Sequence, residues 1–302
     1  MKITILMPVF NEEIFIEEAI SSALNFQYPA GVEISLVVVD DFSTDRTYSI
    51  VEGLKNRYGA SLILKKGGEK GKNNAFNTAF EYVDFGYVCL CGGDDKIVPS
   101  VLLARAIAIE EKQKSSGCSV AAYVSACKIR TFSDDARYEG ITIPRGKRGS
   151  LSGGAIMFDR SLGQAIFPLP PSLPNEDSWI SLHLRFREIQ VIDVLDVGLF
   201  YRIHANNSHK RGESFDKFNE STWRRGCAAI IFYSEQRHLL DAKMERKLTE
   251  EIFLESAKSL RASLSILVAP KIGVAGKLRA LTYASRVAYY FKQKFYKLLT
   301  GF

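Results

Sequence analysis

The chain has 302 residues, of which 46% are hydrophobic and 25% are charged, with a formal net charge of +6. No apolar run approaches the roughly 18 residues that indicate a membrane-spanning helix. We expect no signal peptide, because Met1 and Lys2 lead directly into an apolar run. The five cysteines form no C-x-x-C pair. We therefore expect reduced thiols and a cytoplasmic location rather than a disulfide framework.

Strand-like and helix-like patterns alternate over the first 115 residues. Apolar runs end at Val9, Val39, Leu64 and Cys91, and helical patterns follow near 11–24, 43–58, 74–82 and 100–114. Asn11 is a candidate N-cap for the first of these helices. The alternation with short connections predicts an α/β fold, in which helices flank a mostly parallel, Rossmann-like sheet.

Two pairs of aspartates follow strands of this predicted sheet. Asp40 and Asp41 end the second strand, and Asp94 and Asp95 come after two glycines at the end of the fourth. Since carboxyl ends of parallel strands share one edge, we expect both pairs to face one crevice. Adjacent carboxylates repel each other, and a divalent cation such as Mg²⁺ or Mn²⁺ relieves that repulsion. A turn in which an aspartate caps the next helix remains the alternative for Asp94 and Asp95.

Four further features of the sequence each have two possible interpretations. The loop 65–72 is rich in glycine and lysine but is not a Walker A motif, so it is a solvated basic loop or a diphosphate contact. The small residues 149–154 precede an apolar run and allow close packing or ligand approach. Asp177 begins a helix, where it is a capping group or a general base. The cationic segment 201–212 is a solvated loop or closes over a phosphate.

Short motifs along residues 1–210 together resemble those of family-2 glycosyltransferases, which have the GT-A fold. They are Pro8-Val9-Phe10-Asn11-Glu12, Val39-Asp40-Asp41-Phe42-Ser43-Thr44-Asp45, Gly71 with Ala75 and Asn77, Gly93-Asp94-Asp95, Glu176-Asp177 and Tyr201-Arg202-Ile203-His204. The resemblance implies transfer of a sugar, hexosyl or N-acetylhexosaminyl, from a nucleotide diphosphate donor, usually UDP-linked. The acceptor is a hydroxyl group, and the anomeric centre is inverted.

The resemblance also implies a role for each matching residue. For the donor site these are Pro8, Phe10 and Glu12 at the base and ribose, Asp40 and Asp41 at the uracil, Gly93, and Arg202 with His204 near the diphosphate. Asp94 matches the last aspartate of a metal-binding D-x-D motif, and with Asp95 it is expected to bind Mn²⁺ or Mg²⁺. Asp177 matches the catalytic base. Gly92 departs from the family pattern, because it stands where the first aspartate of that motif is usual.

The C-terminal region differs from the rest of the chain in charge. No acidic residue follows Glu255, whereas nine of the 40 lysines and arginines do, so residues 1–255 carry 31 − 34 = −3. Residues 277–299 combine these cations with aromatic and aliphatic residues in a helical pattern. This pattern predicts a helix lying on an anionic membrane surface or, alternatively, one packed on the body of the protein. No nucleic-acid-binding module is recognisable.

These observations predict a GT-A domain over 1–212, with a nucleotide-binding half at 1–115 and an acceptor half at 116–212. A helical, basic region follows at 213–302. We expect an enzyme of bacterial surface polysaccharide synthesis (capsule, O-antigen or exopolysaccharide) that acts on a glycan or lipid-linked glycan at the inner face of the cell membrane. A sugar nucleotidyltransferase is an alternative, although 7–12 lacks the glycine-rich loop of that class. A non-catalytic nucleotide-sugar-binding module is another, but it would not need Asp94, Asp95 and Asp177 together.

Overall fold

The computed structural model of this protein describes residues 1–115, 122–204, 214–269 and 272–300, the last six of these by their backbone alone. The chain divides into two compact units. The first comprises Met1–Ser172 and His183–His204, and the second comprises Leu173–Leu182 and Ala205–Phe302. The predicted domain boundary at 212 falls outside the described residues, so those domain limits stay a prediction.

One half of the sheet in the first unit is parallel. Its strands lie in the order β3-β2-β1-β4, and they are β1 (Lys2–Val9), β2 (Glu33–Asp40), β3 (Leu62–Lys66) and β4 (Tyr87–Leu90). The connections contain α1 (Ile16–Leu24), α2 (Thr47–Tyr58) and α3 (Lys72–Phe80). Strands β1 and β2 are buried along almost their whole length, which explains their continuous apolar sequences. The predicted α/β fold with a mostly parallel sheet is confirmed.

The other half of the sheet is mixed and continues in the order β8-β6-β9-β5, with β7 paired to β6. Its strands are β5 (Lys96–Ile97), β6 (Ala122–Phe132), β7 (Thr142–Ile143), β8 (Ile156–Asp159) and β9 (Ile189–Arg202). Strand β8 is antiparallel to both β4 and β6. Strands β4 and β6 therefore point the same way, and their carboxyl ends meet at one edge.

Helices α1 and α4 (Pro99–Ser115) cover the sheet and form the main core of the first unit. Ile20 of α1 and Leu102 of α4 are fully buried in the same cluster as Ile5 and Cys89 of the sheet. Burying each such aliphatic side chain contributes about 1.5–3 kcal/mol. The core therefore fixes the strands whose ends carry the aspartate pairs. Two further helices are α5 (Arg160–Ile166) and α6 (Asp177–Phe186), of which residues 177–182 belong to the second unit.

The described residues of the second unit are otherwise mainly helical. Its helices are α7 (Phe215–Gln236), α8 (Ala242–Ser259), α9 (Ser263–Val268), α10 (Val274–Ala284) and α11 (Arg286–Thr300). Trp179 and Phe232 pack edge to face, with ring centroids 5.6 Å apart. No helix in the described parts of the chain is long and apolar enough to cross a membrane.

The predicted N-cap role of Asn11 is wrong. Helix α1 begins five residues later, and its N-cap residue Phe15 makes no side-chain capping bond. Asn11 instead has φ of 56°, and its Oδ1 accepts a hydrogen bond from the Thr44 N–H at 2.8 Å. Its own N–H donates to Ser43 Oγ at 3.0 Å. Asn11 therefore joins the loop after β1 to the loop after β2. Its short polar side chain tolerates the left-handed backbone conformation that this position requires.

Candidate active site

The candidate active site lies at the carboxyl edge of the parallel strands. Val9 of β1 pairs with Asp40 of β2, so these two strands end at the same level. The Cys91 N–H donates to the carbonyl oxygen of Leu6, which extends the pairing of β4 with β1 toward that edge. Asp94 follows three residues later. The edge thus collects side chains from the loops after β1, β2 and β4.

Arg202, at the end of β9, connects the two aspartates that follow β4. Its backbone N–H donates to Asp95 Oδ1 at 2.9 Å, and its Nε donates to the Asp94 carbonyl oxygen at 2.9 Å. The guanidinium lies 4.3 Å from the ring centroid of Phe15 and 4.2 Å from that of Phe132. It also forms an ion pair with Glu18. Two aromatic rings and several hydrogen bonds therefore fix Arg202 beside the aspartates.

His204, two residues after Arg202, contacts the side chain of Asp94. Its Nε2 lies 3.1 Å from Asp94 Oδ2, and its ring packs edge to face on Phe15 at 5.0 Å. Arg202 and His204 were expected near a diphosphate, and in the structure both contact Asp94.

Two carboxyl groups at this edge, those of Asp95 and Glu12, resist ionisation. Burial raises the pKa of Asp95 well above its usual range, and the charge of Asp94 raises it further. Burial, followed by the charges of Asp94 and Asp45, raises the pKa of Glu12 to about 8, which Arg202 partly opposes. Burial and neighbouring negative charge thus both raise the pKa of Asp95 and of Glu12.

The donor set at this edge fits a divalent cation held by few protein ligands. No group of three or more His, Cys, Asp or Glu side chains suited to a metal is present among the residues that the structure describes. Mg²⁺ and similar hard ions, however, usually take one or two carboxylates and complete their shell with substrate phosphates and water. Asp94 and Asp95 can supply those two carboxylates. The mutual repulsion of the acidic groups is what a bound cation would relieve.

The aspartates after β2 organise the loops around them. Asp41 Oδ1 accepts a hydrogen bond from the Gly71 N–H at 2.7 Å, which attaches the glycine-lysine loop to the edge. Burial raises the pKa of Asp41, and the bond from Gly71 opposes that shift. Asp40 Oδ2 accepts from the Ser43 N–H at 3.2 Å. Lys70 of the same loop lies 4.9 Å from the ring centroid of Phe10. The loop 65–72 therefore borders the candidate site.

The residues expected at a nucleotide base differ in exposure. Pro8 is buried within β1, whereas Phe10 is 43% exposed. Phe42, to which the motifs assign no role, is 48% exposed beside Asp41 and has φ of 61°. Two exposed aromatic side chains follow the ends of neighbouring strands, and such rings can stack on a planar base. Phe15 and Phe132, which flank Arg202, were also missed, because contacts across more than 60 residues leave no local sequence signal.

The two glycines before Asp94 occupy tightly packed positions. A Cβ at Gly92 would lie 2.7 Å from Asp94 Oδ1 and 3.1 Å from Asp95 Oδ2. A Cβ at Gly93 would lie 2.7 Å from Val9 Cγ1 and 3.2 Å from Glu12 Cγ. The carboxylates of Asp94 and Asp95 thus use space that a side chain at 92 would need. This crowding is consistent with glycine at position 92, where the family pattern usually has an aspartate.

Asp177, the predicted base, is the first residue of α6 and is half-buried. The segment Leu173–Leu182 that contains it belongs to the second unit. Its predicted role stays a prediction.

One protein-family profile matches a long segment of this chain. The sequence profile described as "Glycosyl transferase family 2" matches residues 4–167, more than half of the chain. The chain belongs to glycosyl transferase family 2. The resemblance seen in the motifs is thereby confirmed, and the matched residues include the loops that carry Glu12, Asp41 and Asp94.

Curated relatives of this family-2 chain match it over a limited length. A poly(ribitol-phosphate) beta-N-acetylglucosaminyltransferase of Staphylococcus aureus, TarS, is 31% identical over 111 residues, which is 37% of this chain and 19% of TarS. A GalNAc(5)-diNAcBac-PP-undecaprenol beta-1,3-glucosyltransferase of Campylobacter jejuni is 26% identical over 102 residues, 33% of this chain and 32% of the relative. The matches thus span about a fifth to a third of these relatives.

Solved structures match this family-2 chain over most of its length. S. aureus TarS 1–349 in complex with UDP-GlcNAc gives a TM-score of 0.60 at 19% identity and covers 94% of this chain and 79% of that one. A mannosyltransferase from Pyrobaculum calidifontis in complex with GDP-Man and Mn²⁺ also gives 0.60 at 19% identity, covering 99% and 84%. At this identity the likeness concerns the fold, and it confirms the predicted GT-A fold.

Proposed function

We propose that this protein is an inverting glycosyltransferase that moves a sugar from a nucleotide diphosphate donor to an acceptor hydroxyl. The observation that carries the proposal is the convergence of Glu12, Asp41, Asp94 and Asp95 at one edge of the sheet, with Arg202 fixed between the last two. A sugar nucleotide needs a polar base site and compensation of its diphosphate charge. Both are available at this edge in a chain of family 2.

In this proposal the donor's base lies by Pro8, Phe10 and Asp41. Phe10 offers a ring face, and Asp41 offers a carboxylate acceptor that Gly71 orients. Asp40 supports the loop through the Ser43 N–H, and Glu12 faces the ribose. UDP is the proposed nucleotide, and the solved complex of TarS with UDP-GlcNAc supports this choice.

Asp94 and Asp95 are the proposed ligands of Mn²⁺ or Mg²⁺. When bound, such an ion stabilises the negative charge of the departing diphosphate. Arg202 and His204 keep Asp94 oriented, because each contacts a different atom of it. Gly93 permits the close approach of this loop to β1 and Glu12.

Asp177 is the proposed general base, which removes the proton from the acceptor hydroxyl as its oxygen attacks the anomeric carbon. General base catalysis contributes about 10²–10⁴ to the rate of such steps. The new bond forms from the acceptor oxygen on the face opposite the departing diphosphate, so the anomeric configuration is inverted.

The proposed acceptor is a glycan or lipid-linked glycan in bacterial surface polysaccharide synthesis. The activities of the S. aureus and C. jejuni relatives, which concern a poly(ribitol-phosphate) and a polyprenol-linked glycan, support this choice. Contact with the inner face of the cell membrane would bring the enzyme to such an acceptor.

The helices α9 to α11 support membrane contact in this proposal. The small buried cluster that joins α8, α9 and α10 consists mainly of alanines, Ala257, Ala280 and Ala284 with Ile266. Larger apolar side chains are exposed instead, and they are Leu264, Leu267, Val268, Val274, Leu278, Val287, Tyr290 and Phe291. Val274 with Leu278 and Val287 with Phe291 are spaced four residues apart, which places each pair on one helix face. Exposed apolar faces in a segment without acidic residues suit an anionic bilayer surface.

Vesicle flotation tests the membrane contact. We expect the full chain to float with vesicles containing anionic lipid, and Val287→Glu with Phe291→Glu to abolish this. Phe253→Glu is the matched control, because Phe253 is also an exposed aromatic side chain, on α8. Flotation of the double variant at the wild-type level would contradict the proposal.

A donor screen tests the activity. Purified protein is incubated with Mn²⁺ and a panel of UDP- and GDP-sugars, with and without glycan acceptors, and released nucleoside diphosphate is measured. A transferase releases nucleoside diphosphate. A nucleotidyltransferase converts the donor only when pyrophosphate is added, giving nucleoside triphosphate and sugar 1-phosphate, and a binding module forms none of these products. If no nucleoside diphosphate is released with any donor and acceptor, the result would count against the proposal.

A further inference from the structure

The connection between β6 and β8 carries a group of cations at the carboxyl edge of the sheet. Arg145, Lys147 and Arg148 are all exposed. None of the three has a carboxylate partner in the described ranges, whereas Arg137 of the same connection pairs with Asp135. Three cations within four residues form what we call the basic loop (144–149).

The basic loop has a fixed conformation. Lys128 Nζ donates to the carbonyl oxygens of Pro144, at 3.1 Å, and Gly146. The Gly149 N–H donates to Asp193 Oδ1 at 2.8 Å. A Cβ at Gly149 would lie only 2.2 Å from the Ala126 carbonyl oxygen, so only glycine allows this approach. These bonds hold the backbone that carries Arg145, Lys147 and Arg148 against β6.

Strand register places the basic loop beside the candidate site. Cys89 of β4 and Ser125 of β6 both pair with Met157 of β8, so they lie at one level of the sheet. Cys127 lies two residues further along, level with Cys91, and its carbonyl oxygen accepts from the Ser150 N–H at 2.7 Å. Two strand spacings separate β4 from β6, which is about 10 Å. The basic loop therefore leaves β6 toward the edge that Asp94 occupies, from a strand about 10 Å from β4.

We propose that the basic loop binds the anionic groups of a negatively charged acceptor chain. Guanidinium and ammonium groups on a fixed frame suit phosphate or carboxylate groups that repeat along such a chain. The proposal rests on the proposed transferase function and narrows its acceptor to glycans that carry phosphodiesters or uronic acids. The loop acts as a specificity element, since a neutral acceptor gains nothing from it.

Polyanion binding by the full chain tests the proposal. The probes are fluorescein-labelled inorganic polyphosphate of about 20 units and labelled polygalacturonate, measured by anisotropy at several NaCl concentrations. The variant R145Q/K147Q/R148Q is expected to bind at least one probe about tenfold more weakly than wild type, with a shallower salt dependence. A phosphate-bearing acceptor predicts the larger loss with polyphosphate, and a uronic acid acceptor predicts it with polygalacturonate.

Two further variants sharpen the result. R57Q/K112Q/K114Q removes three exposed cations from α2 and α4, so it matches the loss of charge and is expected to bind as wild type. Lys128→Met keeps the three loop cations but removes the donor to the loop carbonyls, and it is expected to weaken binding severalfold. Wild-type affinity of R145Q/K147Q/R148Q, an equal loss in the R57Q/K112Q/K114Q control, or full affinity of Lys128→Met would each overturn the proposal.

The measurement stays separate from the transferase proposal. UDP binding in the presence of Mn²⁺, measured by calorimetry on the wild-type protein, reports on the donor site alone. If the wild-type protein does not bind UDP, the proposed transferase function is contradicted. Absence of polyanion binding in a protein that binds UDP would contradict only the role of the basic loop.

Discussion

Substituting Gly92 with alanine tests whether the carboxylates of Asp94 and Asp95 need the space beside them. The added Cβ would lie 2.7 Å from Asp94 Oδ1 and 3.1 Å from Asp95 Oδ2. Gly92 lacks a left-handed φ, so an alanine backbone fits there and the effect comes from contact alone. Heavy atoms in ordinary van der Waals contact with a Cβ lie 3.4–4 Å away. Asp94 must therefore shift its carboxylate by about half an ångström or more.

A shift of this size is large for a metal ligand. A misplacement of 1 Å can reduce the rate about 10²-fold, and productive sites tolerate about 0.5 Å. We therefore expect Gly92→Ala to lower turnover about tenfold and to weaken Mn²⁺-dependent UDP binding by a similar factor. Overpacking should also destabilise the fold by about 1–3 kcal/mol.

Gly53→Ala is the matched control for this substitution. Gly53 lies in α2, and a Cβ there meets no atom within 4 Å. Alanine at such a helical position stabilises by about 0.5–1 kcal/mol. Urea unfolding, UDP release and calorimetry with and without Mn²⁺ are compared for both variants. Wild-type turnover and wild-type UDP binding in Gly92→Ala would refute the inference that these carboxylates act as ligands in the observed arrangement.

Three further predictions concern single side chains. Asp177→Asn is expected to retain UDP binding and to lose about 10²–10⁴ in turnover, and near-normal UDP release would remove Asp177 as the base. Asp94→Ala is expected to abolish the gain in UDP affinity that Mn²⁺ confers on the wild type, and calorimetry showing the same gain in both proteins would contradict the metal site. Burial, and then the charge of Arg187, lower the pKa of His183 to about 3, from an ordinary value of 6.5. Because this folded-state pKa is depressed, the unfolded chain binds the proton first, and stability falls as pH drops from 6.5 toward 3, by at most about 1.4 kcal/mol per unit. Urea unfolding between pH 7 and pH 5 should show a steeper loss in the wild type than in His183→Gln, and equal losses would contradict this.

The parallel half of the fold was predictable because its signals are local. Each strand is a short apolar run, and each is followed by a helical pattern within a few residues. Once the strands are known to be parallel, Asp40 and the loop of Asp94 must share one edge. The prediction of free thiols is confirmed for Cys89, Cys91, Cys127 and Cys227, which are unpaired in the described residues, whereas Cys118 lies outside them.

The partners of the site residues were not predictable from the residues themselves. Asp95 accepts a hydrogen bond from Arg202, which lies 107 positions away. Nothing in the local sequence of either residue specifies that pairing, and Arg202 and His204 entered the expected site only through the family motifs. The interpretation of Asn11 as an N-cap failed for the same reason, since Ser43 and Thr44 compete for it from 32 and 33 positions away.

The glycine-lysine loop shows how structure narrows an open alternative. Its composition suited both a solvated loop and a ligand contact. The bond from Gly71 N–H to Asp41 and the approach of Lys70 to Phe10 place it at the candidate donor site. A loop attached there brings lysines such as Lys70 to the edge where, in the proposed function, the diphosphate of the donor brings negative charge.

Arg202 explains how the chain accommodates a crowded acidic edge. Burying Asp95 next to Asp94 and Glu12 would be costly without compensation inside the protein. The backbone N–H of Arg202 and the charge of Lys72 both favour the ionised form of Asp95, and the charge of Arg202 favours that of Glu12.

Because Phe15, Phe132 and Glu18 fix its guanidinium, Arg202 contributes this compensation without further ordering. The carboxylates are thereby positioned in advance, which is the property that a metal and diphosphate site requires.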